Sequence, residues 1–153
     1  MTKNRDAVRK AVAELFAANL AGDGLPVAEV AACQKSKIDK TPLVEVLSAG
    51  SSRTQKGLGT KKNANIFYLE IHTLIRDSDE SGLSDLERED SLDLIDKMLG
   101  DIVTNNQSGE EWDRLTFAGG NGGRGERSKA TKVIWDGKPY LFEVHQLEVI
   151  AND

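Results

Sequence analysis

Residues 64–75, ANIFYLEIHTLI, are the most decisive stretch of this 153-residue chain. At alternate positions from Phe67 to Ile75 all residues are uncharged, and all but Thr73 are apolar. The positions between them include Glu70 and His72. A period of two is typical of a β-strand whose side chains point alternately to the two faces of a sheet. The stretch therefore predicts a strand whose drier face, from Phe67 to Ile75, meets the core.

One amphipathic helix is predicted before this strand in the sequence, and another after it. Residues 4–21 place apolar side chains at steps of three and four, with Asn4 or Thr2 available as N-cap. After an acidic linker at 77–82, Ser84 and Glu87 have the spacing of a capping box. The second helix that begins there has an apolar stripe of Leu86, Leu92, Ile95, Met98, Leu99, Ile102 and Val103. Asp90 and Asp93 fall off that stripe, which predicts that both are exposed.

The other segments predict further strands. Residues 41–49 favour one strand and residues 112–117 another, while residues 26–33 fit either an edge strand or a helical turn. Residues 129–135 and 138–150 flank Asp136-Gly137, a strong two-residue hairpin signal. Long polar loops are expected at 50–63 and 118–128. The order predicts a single α+β domain over 1–153, with an antiparallel, mixed-edge sheet of about five strands and two main helices packed on one face.

Composition excludes several classes of protein. The chain is 39% hydrophobic and 29% charged, so it is neither disordered nor collagen-like. We find no apolar run long enough for a membrane helix or for a signal peptide, and expect a soluble, unexported protein. The lone Cys33 cannot form an intramolecular disulfide, which suits a reducing compartment.

Charge is segregated along the chain despite a net charge of only −5. Residues 1–62 carry 11 Lys and Arg against 6 Asp and Glu, and residues 63–113 carry 3 against 14. Such asymmetry is an argument about association, because a positive surface of one copy can meet a negative surface of the next. The alternative is that the acidic block is only the solvated face of the second helix.

No pattern in the chain predicts an active site. Residues 120–125, GNGGRG, match the dinucleotide fingerprint by letter, but no helix or parallel crossover can follow them. His72 and His145 are predicted on the wetter face of their strands, where Glu70 or Glu143 could join them around a metal. Two histidines without a closely spaced third ligand are a weak metal signal. Cys33 has no nucleophile signature around it. We therefore expect no catalytic residue, cofactor or metal.

The most basic stretch is the loop that carries Arg53, Lys56, Lys61 and Lys62. Basic clusters can neutralise phosphates, but no aromatic residue in this loop offers base stacking. A protein contact is therefore favoured over a DNA contact. The interface residues expected from charge and loop position are Arg53, Lys56, Lys61, Lys62, Asp90, Asp93, Gly120, Gly122, Arg124 and Arg127.

The sequence resembles the tail terminator proteins of long-tailed bacteriophages, also called minor tail or neck proteins. The resemblance rests on the order of four features: the helix at 4–21 leading to TPLVEVLSAGS at 41–51, the strand at 64–75 with Phe67-Tyr68-Leu69 at its centre, the acidic EDSLDLIDK at 89–97, and the terminal hairpin around 136–137. It covers nearly the whole chain, but as a pattern without a diagnostic motif.

The resemblance implies a non-enzymatic ring, typically of six copies, that caps the tail tube and offers a surface for the head. Its implied partners are further copies of itself, the tail tube protein and a head-completion or connector protein, with DNA only passing through the lumen. The implied location is the head-proximal end of the virion tail, after assembly in the host cytoplasm. Two alternatives stay open: a head-completion or connector protein, and a small DNA-binding module that uses the basic loop at 53–62.

Overall fold

The elements follow each other in the order α, β, β, β, α, β, β, β. The computed structural model describes residues 4–55, 63–77, 84–106, 115–117 and 130–152. The elements are α1 (Arg5–Leu20), β1 (Glu29–Ala31), β2 (Leu43–Gln55), β3 (Asn63–Arg76), α2 (Asp85–Asn105), β4 (Leu115–Phe117), β5 (Thr131–Trp135) and β6 (Lys138–Asn152). The expected α+β class is confirmed.

The strands form one mixed sheet in the order β1-β2-β3-β6-β4, with β5 also paired to β6. β1 runs parallel to β2, and the other pairs are antiparallel. β6 pairs with β3 along one side, while its two ends pair with β5 and β4 on the other. The segment 26–33, which the sequence left open, therefore contributes a short edge strand.

β3 presents its two faces as predicted. Phe67, Leu69, Ile71, Thr73 and Ile75 are all buried. They join one core cluster with the apolar faces of both helices, which include Phe16 of α1 and Ile95 of α2. Both helices thus pack on this face, here called the helix face, as the sequence predicted. The opposite face carries a smaller cluster of Leu43, Leu74 and Tyr140.

Both helices begin at the predicted caps. The Asn4 side chain accepts a hydrogen bond from the Ala7 N–H at 2.8 Å, and Ser84 accepts one from the Glu87 N–H at 3.2 Å. These caps satisfy backbone donors that have no partner inside a helix. One residue of the α2 stripe was predicted wrongly: Leu86 is 69% exposed, whereas Arg88 is buried. Leu86 lies in the first turn, and only from Leu92 onward does the stripe reach the core.

The predicted polar loop at 50–63 is shorter than expected, because β2 continues to Gln55 and β3 begins at Asn63. The residues between these strands lie outside the described part. The register shifts between Ser48 and Gly50, and Gly50 has a positive φ of 144°. A bulge of this kind lets a strand continue with an extra residue. Backbone groups of β3 pair with this polar stretch, so it forms a strand without an apolar pattern.

The last hairpin turns at Asp136 and Gly137, which have positive φ values of 51° and 73°. Such values fit the primed turn that the Asp-Gly pair predicts. The predicted strand at 129–135 is observed as Thr131–Trp135, and that at 138–150 as Lys138–Asn152. Only Leu115–Phe117 of the predicted strand at 112–117 lies among the described residues.

Candidate functional site

The outward side of α2 bears five exposed carboxylates, which we call the acidic surface: Glu87, Glu89, Asp90, Asp93 and Asp101. The predicted exposure of Asp90 and Asp93 is confirmed. Leu86 and Leu94 lie on the same helix and are also exposed, at 69% and 47%. With Asp90 they follow the i, i+4, i+8 spacing that places side chains along one side of a helix. The acidic surface therefore includes two exposed leucines, one on each side of Asp90.

Within the described residues, the carboxylates of the acidic surface form no ion pair. Among the described residues, these five carboxylates therefore have no ion-pair partner, although Lys97 on the same helix is exposed and carries the opposite charge. Like charges at i, i+4, such as Glu89 and Asp93, weaken an isolated helix by about 0.2–0.5 kcal/mol. The helix tolerates them because its buried stripe anchors it.

The start of α2 is anchored differently, by a buried ion pair. Arg88 Nε lies 3.1 Å from Asp77 Oδ1, and both side chains are nearly enclosed. Arg88 also contacts Asp85, and Lys132 of β5 reaches Asp77 at 3.4 Å. These contacts connect α2 to the end of β3 and to β5, and so hold the acidic surface in a fixed orientation on the domain.

A small excess of positive charge lies in the segment around Ile38, where the exposed Lys37 and Lys40 accompany the exposed Asp39. Ile38 packs against the small cluster of Leu43, Leu74 and Tyr140 on the face opposite the helices. Its neighbours Lys37 and Lys40 are exposed and form no ion pair within the described residues. Lys35, by contrast, is 2.5 Å from Glu29, and this contact raises the pKa of the Lys35 ammonium.

The acidic surface and the segment around Ile38 belong to elements that pack on opposite faces of the sheet. A helix is about 10 Å across, and the acidic surface lies on the far side of α2 from the sheet. No ion pair between described residues joins the carboxylates of the acidic surface to Lys37 or Lys40.

Most of the other predicted interface residues cannot be located. Arg53 lies in β2, in a part of the strand whose side chains are not described. Lys56, Lys61 and Lys62 lie outside the described residues. The same holds for Gly120, Gly122, Arg124 and Arg127 in the glycine-rich segment at 118–128. Of the predicted set, only Asp90 and Asp93 are placed with their side chains.

The structure corrects the predicted placement of His145. In the β3–β6 register His145 pairs with Ile71, whereas His72 pairs with Val144. Directly paired residues point to the same face, so His145 lies on the helix face and His72 on the other. His145 is 4% exposed, not on a wet face. The two histidines therefore cannot share a ligand.

His145 meets two carboxylates instead. Its Nε2 lies 2.7 Å from Oδ1 of Asp96 in α2 and 2.8 Å from Oε1 of Glu143 in β6. Glu143 was considered a possible metal ligand from the sequence, but Asp96 was not. The available signal was the alternation in β6, which puts His145 on the same face as the apolar Leu147 and Val149.

A small pocket of about 200 Å³ lies on the face opposite the helices. Ile38, Leu74 and Phe142 are among its apolar lining residues, and Glu45 and His72 are polar ones. The ring of His72 meets that of Phe142 edge-on, with centroids 5.0 Å apart. The indole nitrogen of Trp135, also in the lining, is buried and has no hydrogen-bond partner within the described residues.

Of the three titratable groups that line the pocket, Glu45 and His72 are shifted toward their neutral forms, whereas the contact with Glu29 raises the pKa of Lys35 and favours its charged form. Burial raises the pKa of Glu45, although its carboxylate accepts a hydrogen bond from the Lys35 N–H at 2.6 Å. Burial also lowers the pKa of His72, and the nearby Glu70 opposes this only in part. At neutral pH the pocket is therefore close to uncharged on its histidine side.

Comparisons with family models and with curated proteins identify no relative of the chain. No family model matches the chain, and no curated protein matches it significantly. Among the described residues, no helix is both long and apolar enough to cross a membrane.

Proposed function

We propose that the chain is a structural subunit of a virion: a tail terminator that closes into a ring, caps the tail tube and provides a surface for joining the head. The observation that carries the proposal is the acidic surface of α2, with its exposed Leu86 and Leu94 and without compensating ion pairs in the described part of the chain.

Opposite charges on opposite sides of the sheet favour a head-to-tail contact between copies. The acidic surface of one copy can face exposed lysines of the next, such as Lys37 and Lys40. A contact of this kind uses two different patches, and it generates a closed ring if the rotation between neighbours closes. The exposed Leu86 and Leu94 supply apolar surface that is removed from water on association.

The fold and the order of its elements also support the proposal. The helix, the paired strands β2 and β3, the acidic helix and the terminal hairpin follow each other as in the resemblance described above. In this proposal the contacts of the protein are with copies of itself, with the tube and with a head-completion or connector protein. DNA passes only through the lumen of the ring.

The test is binding to the ends of purified tail tubes. Wild-type protein is mixed with tubes that lack a terminator and viewed by negative-stain electron microscopy. The proposal predicts a cap at one end of each tube and no further elongation when free tube protein is added. Binding only to isolated head connectors would instead favour the head-completion alternative.

The DNA-binding alternative needs a separate experiment. Duplex DNA is titrated with the wild type and with a variant in which Arg53, Lys56, Lys61 and Lys62 are Ala. Tight, salt-dependent binding that is lost in the variant, together with no attachment to tubes, would contradict the proposed function.

A further inference from the structure

The cluster of Asp96, Glu143 and His145 joins the middle of α2 to β6. One ligand atom from each residue lies within 4.8 Å of the other two. The side chains of His145 and Glu143 are 3% and 10% exposed, whereas that of Asp96 is 38% exposed. The cluster is thus enclosed on the sheet side and accessible on the helix side.

Among the described residues, this cluster has fewer hydrogen-bond donors than its two carboxylates require. The imidazole Nε2 is hydrogen-bonded to Asp96 at 2.7 Å. Oε1 of Glu143 lies 2.8 Å from the same nitrogen, but it is buried and accepts no hydrogen bond from the described residues. One nitrogen carries at most one proton, so it cannot satisfy two carboxylates. A buried carboxylate oxygen without a donor is costly.

We propose that Asp96, Glu143 and His145 bind one zinc ion, with a water molecule as the fourth ligand on the exposed side of Asp96. Two carboxylates balance the charge of a divalent cation. An imidazole with carboxylate oxygens suits tetrahedral zinc, whereas calcium takes six to eight oxygen ligands and magnesium keeps most of its water.

The distances require only a small adjustment. Zinc bonds of about 2.0–2.2 Å imply ligand atoms about 3.3 Å apart in a tetrahedron. The two carboxylate oxygens need to move away from Nε2 by about half an ångström, and their separation from each other, which is within 4.8 Å, has to reach the same spacing. Zinc at Nε2 leaves the ring proton on Nδ1, which has no hydrogen-bond partner in the described part of the chain. Sites that lack such an outer partner bind metal roughly 10–100-fold more weakly, so we expect a moderate affinity.

A bound zinc links a ligand of α2 to two ligands of β6. It would therefore fix the helix that carries the acidic surface, and it would stabilise the folded chain by binding only that state. This inference does not depend on the proposed function, because the cluster lies beneath α2 and not on its outward side.

The experiment uses tag-free, chelator-treated protein and zinc chloride as the probe. Isothermal titration should give one zinc per chain, and saturating zinc should raise the melting temperature by roughly 5 °C or more. Asp96→Asn and Glu143→Gln keep the side-chain shapes, and each should weaken binding by at least about 100-fold, more than the loss of an outer partner costs. Asp93→Asn, on the same helix outside the cluster, is the matched control and should bind as the wild type does.

Nitrogen NMR identifies the ligand directly, because the chain contains only two histidines. Zinc should shift the Nε2 resonance of His145 and leave that of His72 unchanged. Absence of zinc binding at a hundred-micromolar excess, unchanged binding in both cluster variants, or a shift at His72 alone would each overturn the proposal. A purely structural role for the three residues would leave the zinc titration flat.

Discussion

Reversing the charge at Asp90 and Asp93 should impair assembly without impairing folding. Both carboxylates are exposed and form no ion pair in the described part of the chain, so no intramolecular partner is lost in the double variant with Lys at both positions. Lys at 93 would attract Glu89 and repel Lys97, each at a spacing of four residues, so these two effects on the helix largely offset each other. The free energy of unfolding should therefore change by less than about 0.5 kcal/mol.

The effect on a contact between copies is larger. An exposed ion pair contributes about 0.2–1 kcal/mol, and a reversed charge converts attraction into repulsion of similar size. For two residues the change is about 1–4 kcal/mol for each interface, or roughly fivefold to several hundredfold in its association constant. Every interface of a ring loses this amount, so the concentration needed for assembly rises steeply.

Light scattering after size exclusion measures assembly, and urea unfolding measures stability. The matched control reverses Glu14 and Asp23, two exposed acidic residues away from α2, and changes the net charge by the same amount. The reasoning is refuted if the α2 variant assembles like the wild type, or if the control variant is impaired to the same degree.

Substitutions at four further positions test the core, the face opposite the helices and a helix cap. Ile95→Asp should cost several kcal/mol because it buries an unpaired charge, whereas Ile95→Val should cost only about 0.5–1.5 kcal/mol; equal urea midpoints for the two would contradict the observed packing. Glu45→Gln should stabilise the protein at pH 7 and lose this advantage below pH 4.5, because the raised pKa means that ionisation of Glu45 costs stability as pH rises through its folded-state value. The wild type should lose stability as pH falls below 6.5, because His72 takes up a proton in the unfolded chain but resists it in the buried folded state. His72→Gln should reduce this loss. An unchanged dependence of stability on pH in both the Glu45 and the His72 variants would argue against burial as the cause. Ser84→Ala should lower the free energy of unfolding by about 1 kcal/mol in the same urea assay, since the Glu87 N–H loses its acceptor, and no change would mean that solvent serves the cap equally well.

The fold could be predicted from the sequence where local patterns and packing agree. The alternation of β3, the capping box at Ser84 and the Asp-Gly turn each specify a local structure by a short-range mechanism. The extension of β2 to Gln55 could not be predicted, because its strand conformation comes from pairing with β3 and not from its own polar residues. The same is true of β1, which depends on its parallel neighbour.

Of the candidate sites, the sequence predicts the exposed carboxylates of α2 but not the cluster around His145. Exposure of Asp90 and Asp93 follows from helical periodicity alone. The meeting of Asp96 with His145 depends on how α2 crosses the sheet, and periodicity within one element cannot supply that. The burial of Arg88 could not be predicted for the same reason. This arginine is buried because Asp77, at the end of β3, provides its ion-pair partner.

Ring formation by wild-type protein is the central claim, and its mass in solution tests it most directly. Size exclusion with light scattering, at micromolar concentration and low salt, should give a closed oligomer of the 16.7 kDa chain, about 100 kDa for six copies. Raising the salt should shift it toward smaller species, because exposed charges are screened. A monomer of 16.7 kDa at every concentration and salt tested would contradict the account.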